Sequence, residues 1–90
     1  MSHAVFLRRA ANGFAEDARL ASDRLATMPR DARWAKARRV TSHLVAQGFA
    51  LSRFYRAEAQ RAERAEIAER LRSALAQRQT IAAARPAAAQ

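Results

Sequence analysis

Half of the 90 residues are apolar, but 25 of these are alanine, and the 20 larger side chains are few for a self-sufficient core. Cysteine is absent, which excludes disulfides, thiolate metal sites and cysteine nucleophiles, and His3 and His43 are too few for an all-histidine zinc site. The formal net charge is +9, and all the basic groups except Lys36 are arginine, the donor suited to bidentate contacts with carboxylate or phosphate.

From the N-terminus, the pattern predicts one helix over about residues 2–28. Leu7, Ala11, Phe14, Ala18, Ala21, Leu25 and Met28 recur at alternating steps of 4 and 3, an apolar stripe of coiled-coil spacing. Ser2 has the hydroxyl needed to cap the first turn. Gly13 sits beside Phe14, where it would permit a close backbone approach. Residues 27–31, Thr-Met-Pro-Arg-Asp, punctuate the chain. Proline lacks an amide donor and restricts the residue before it, so the helix must stop before Pro29. Thr27 or Asp31 can cap the next helix, and so short a connection makes the neighbouring helices antiparallel.

A second, much longer helix is expected over about residues 32–80. Its apolar face is read as Val40, Leu44, Leu51 and Phe54 or Tyr55, spaced through Gln47 or Gly48 and widened by Trp34, Val45 and Phe49. Gly48 is the one break signal between residues 30 and 85, expected either to bend this helix or to end it in a tight turn. Beyond Tyr55 the sequence becomes an Ala/Arg/Glu helix whose large apolar residues, Ile67, Leu71 and Leu75, step by four and continue to Ile81. Residues 82–90, with Pro86, read as a disordered tail after a single helical domain over 1–81. The fold class predicted is all-α: an antiparallel helical hairpin with an extended second helix and coiled-coil-like packing.

Catalysis requires convergent polar groups or a metal in a shielded pocket, and no motif of that kind is present. Glu63, Glu66 and Glu69 lie among arginines and alanines, as on a solvated helix face. Neither a catalytic site, a cofactor, a metal nor a small-molecule substrate is expected. No segment approaches the apolar length of a membrane span, and a cytoplasmic location is expected.

Two functional surfaces compete. The first is an aromatic and aliphatic face for a protein partner or for self-association: Trp34, Phe49, Phe54, Tyr55, Ile67, Leu71 and Leu75. The second is basic. Residues 29–56 hold seven basic groups against one acidic, with Arg30, Arg33, Lys36, Arg38 and Arg39 close together and Arg53 and Arg56 further on. Such a cluster fits phosphates or an acidic protein surface, although the same charge keeps a small chain dispersed without any partner. Residues 40–57 also have the spacing of a helix-turn-helix with its glycine at Gly48, but the helix after the turn is too long for a recognition helix. A non-enzymatic adaptor, assembly factor, chaperone or inhibitor is therefore the first expectation, and a nucleic-acid-binding protein the alternative.

Overall fold

The computed structural model describes residues 2–84. Two helices form an antiparallel hairpin: α1 spans His3–Thr27 and α2 spans Ala35–Ala84, led in by a single 3-10 turn at Ala32–Trp34. The molecule is a rod, 88 × 14 × 14 Å. At ~1.5 Å per residue the 50-residue α2 is about 75 Å long, roughly twice α1.

The punctuation works as the local chemistry requires. Ser2 Oγ accepts the Val5 N–H at 3.1 Å and starts α1. Met28, constrained by the following proline, takes an extended conformation and ends it, its N–H donating to the Leu25 carbonyl at 3.2 Å. Asp31 caps the 3-10 turn, its Oδ1 accepting the Arg33 N–H at 3.1 Å. Arg38 then closes the connection from one turn into α2. Its guanidinium donates to the Pro29 carbonyl and, at 3.2 Å, to the Asp31 carbonyl, so the chain reversal is held by a side chain of the helix it leads to.

The helices meet along a seam of small residues. From α1 it takes Ala4, Leu7, Ala11, Ala15 and Ala18, all buried, with Phe14 and Leu25 half-buried beside them. From α2 it takes Thr41, Val45, Gly48, Ser52, Tyr55, Ala59, Ala62 and Glu66, again at alternating steps of 4 and 3, with Ser52 and Ala59 buried. Phe14 stacks flat on Tyr55, ring centroids 5.4 Å apart and planes 12° from parallel. At the open end, Arg8 Nε donates to Glu63 Oε1 at 2.8 Å, and the Ala4 N–H reaches Glu66 Oε1 at 3.4 Å. That last bond lets a carboxylate from α2 satisfy a first-turn amide of α1, which has no partner within its own helix.

Several expectations change here. The sequence pattern assigns Val40 and Leu44 to the face packed on α1, yet each keeps just over half of its surface in water. α1 occupies the stripe one residue further on, because small residues there let the backbones approach. The ring of Phe14 accordingly stacks on Tyr55. Gly48 neither bends nor ends α2, which runs through it. It is a point of close approach instead: a Cβ there would lie 2.9 Å from Ala18 Cβ and 3.4 Å from the Phe14 carbonyl oxygen. Gly13, expected to have that role, faces open space. Ala82–Ala84, assigned to the tail, are the last turn of α2, and residues 85–90 lie outside the described ones.

The two glycines should therefore respond with opposite signs. Gly13→Ala removes unfolded-state freedom with no clash and should stabilise by about 0.5–1 kcal/mol. Gly48→Ala gains the same propensity but forces the seam apart, and should destabilise by about 1 kcal/mol net. Urea unfolding of both variants checks this.

Candidate interaction surface

Burial in the hairpin goes almost entirely to alanine. Among the described residues no large side chain is fully buried, while eleven large apolar ones keep 40–60 % of their surface exposed. Single exposed leucines are ordinary; so many on an 88 Å rod form continuous apolar tracts.

One tract lies along the hairpin. Val40, Leu44 and Phe54 project from α2 beside the seam, and Leu51 is half-buried between them. Phe14, Asp17, Ala18 and Ala21 of α1 form the opposite wall of a shallow groove with Leu44, Gly48 and Leu51. Phe54 is held edge-on by Tyr55, centroids 5.4 Å apart at 84°.

A second tract lies on the part of α2 that α1 does not reach. From Glu69 to Ala84 every residue is exposed, a protruding arm about 24 Å long. Ile67, Leu71, Leu75 and Ile81 run along it, each 53–60 % exposed. The positions that continue the α1 seam onto the arm are Glu69, Ser73, Ala76 and Thr80, none of them large and apolar. The arm is thus not an unfinished stretch of the same seam; its apolar ridge is turned to another side.

The expected site residues divide accordingly. Phe54, Ile67, Leu71 and Leu75 are exposed, and Trp34 stands in the 3-10 turn with 40 % of its surface free. Phe49 is half-buried, and Tyr55 is taken up by its stack on Phe14 within the hairpin. Sequence reasoning places Val40 and Leu44 in the hairpin and overlooks Leu20 and Phe6, exposed on α1. The signal for the first two is present: a second stripe of 3-and-4 spacing, offset by one residue and built of smaller side chains.

The basic cluster is similarly split. Arg38 is structural, bound to two turn carbonyls, and Arg33 lies 3.6 Å from Asp31. Arg30, Lys36, Arg39, Arg53 and Arg56 make no ion pair among the described residues, and all five are exposed. Arg30, Arg38, Arg39, Ser42 and His43 border a wide, open depression beside the turn. The unbroken course of α2 through Gly48 removes the helix-turn-helix reading. Among the described residues no cluster of His, Cys, Asp or Glu is placed to hold a metal, and no helix is long and apolar enough to cross a membrane.

The division between structural and free arginines is testable. Arg38→Ala should destabilise the hairpin by about 1 kcal/mol, since two turn carbonyls lose a charged donor. Arg39→Ala, exposed and unpaired, should stay within ~0.5 kcal/mol of the parent. Thermal melts of the two variants give the comparison.

Comparison of the chain with protein-family models, with curated proteins and with solved structures gives no match.

Proposed function

We propose that this chain is a non-enzymatic helical interaction module, acting as an adaptor, assembly factor, chaperone or inhibitor by presenting an apolar helix face to another protein. The observation that carries the reading is the arm: a helix beyond the reach of α1, with Ile67, Leu71, Leu75 and Ile81 exposed along it. An isolated helix of this length is marginal in water, and most helical stability in proteins comes from packing an apolar face. A ridge of leucine and isoleucine supplies such a face to a partner's groove or helix, where each side chain removed from water contributes ~1.5–3 kcal/mol at full burial.

The carboxylates support a non-catalytic reading. Glu58, Glu63 and Glu69 are each paired with an arginine on the helix surface, and Glu66 accepts the Ala4 N–H. Unpaired Arg53 and Arg56 adjoin the apolar tract, where rim charges guide the orientation of a partner more than its affinity.

Of the unpaired basic groups, Arg30, Lys36 and Arg39 favour one other reading, contact with a nucleic-acid backbone near the turn. Phosphate-driven binding falls steeply as salt rises, whereas apolar docking on the arm does not.

Leu71→Asp combined with Leu75→Asp should abolish capture of the partner from extracts of the native host. The melting curve and helicity should stay near the parent's, because both side chains are already exposed. Capture unchanged by the double substitution would refute the arm as the docking element. Duplex DNA binding lost when Arg30, Lys36 and Arg39 are replaced by Ala would establish the second reading instead.

A further inference from the structure

α2 carries two parallel stripes of 3-and-4 spacing, offset by one residue. α1 fills the first. The second runs Ala37, Val40, Leu44, Gln47, Leu51 and Phe54, with Arg33 of the preceding 3-10 turn and Glu58 at its ends, and faces the open side of the hairpin. Val40, Leu44 and Phe54 are each more than half exposed on it. We propose that this second stripe is the contact between two copies of the chain, packed antiparallel through α2.

The stripe is self-complementary. In antiparallel helix pairs of this spacing the two kinds of stripe position face each other. Laid against its own reverse about a two-fold axis between Leu44 and Gln47, the stripe places Val40 opposite the second copy's Leu51 and Leu44 opposite its Gln47. The largest residue, Phe54, then meets the smallest, Ala37, and Glu58, which pairs with Arg61 on its own helix, comes opposite the second copy's Arg33, which lies 3.6 Å from its own Asp31. Size is matched along the whole stripe, about 38 Å, and opposite charges face each other at its ends. A foreign helix would not require the stripe to fit its own reverse, whereas a two-fold contact between identical chains does. Phe54 is already fixed edge-on against Tyr55, so little freedom is lost when it docks. The hairpin also needs such a contact, because among the described residues it buries no large side chain completely.

The interface is distinct from the arm ridge, so the two can be tested separately. The charge of +9 on each copy opposes association, and salt screens that repulsion. Sedimentation equilibrium at tens of micromolar should therefore give a dimer whose dissociation constant falls as sodium chloride is raised from about 0.05 to 0.5 M. An acidic or nucleic-acid partner would show the opposite trend. Leu44→Glu should give a monomer of unchanged helicity.

The alignment has its own test, since the chain has no cysteine. An Arg33→Cys chain mixed with a Glu58→Cys chain and oxidised should form the mixed disulfide at least tenfold over either homodisulfide. In this alignment two copies of position 33 lie about 38 Å apart. A monomeric parent chain at all salt concentrations, a dimer that Leu44→Glu leaves intact, or a predominance of homodisulfides would each overturn the proposal. A monomer that still captures a protein through Leu71 and Leu75 would overturn this proposal alone. A dimer whose Leu71 and Leu75 variant binds as the parent does would overturn only the arm reading.

Discussion

Gly48 passes so near Ala18 that a single added methyl group would fall inside van der Waals contact. Everything else about the hairpin depends on that closeness. Two helices this near each other bury mostly alanine, with Ser52 and Leu7, at the seam, and the Phe14–Tyr55 stack lies half-buried along it. Side chains with more bulk are displaced to the flanks. The exposed valine, leucine and phenylalanine of α2 are thus the counterpart of the tight seam, and the apolar surface available to other molecules follows from how the chain packs on itself.

Much of this was legible in the sequence. Ser2, Pro29 and Asp31 marked the limits of the elements because capping and the missing proline amide are local effects, independent of tertiary context. The α1 stripe was legible as well, because Leu7, Ala11 and Ala18 combine helical spacing with apolar character. The azimuth of α2 was not. Val40, Leu44, Leu51 and Phe54 outrank Thr41, Val45, Gly48 and Ser52 in hydrophobicity, and on that scale they should face the neighbour. Axial separation decides instead, and the short connection braced by Arg38 limits how α2 can be turned. Gly48 was legible as special but not as a point of contact. A glycine costs a helix only about 1 kcal/mol, which a close approach offsets. Of the candidate surface, Ile67, Leu71 and Leu75 were apparent because nothing competes for that face. Arg38 was indistinguishable from its neighbours until the turn carbonyls were in place.

The separation of duties along the rod is also physical. Near the turn, arginine is committed to backbone carbonyls; at the open end, Arg8 and Glu63 lock the α1 terminus to α2. Between them the seam carries no charged side chain. Polar contacts fix the two ends and small-residue packing fixes the middle, and the charge excess lies on the outer faces. The arm beyond Glu69 has a different composition rule, with no large apolar residue continuing the seam and the larger aliphatic ones turned away from it.

The tight seam also constrains length. In an α-helix, one inserted residue turns everything after it by about 100°. Placed just before Thr41, it would swing Leu44, Gln47 and Leu51 into the places now held by Val45, Gly48 and Ser52. The Gln47 side chain would be driven against Ala18, and the small residues would be turned out to water. The body of α2 therefore cannot absorb single insertions or deletions, although nearly every residue on its outer face can change. A change of length is accommodated without turning the seam in the non-helical connection at Met28–Asp31 and in the arm past Glu69.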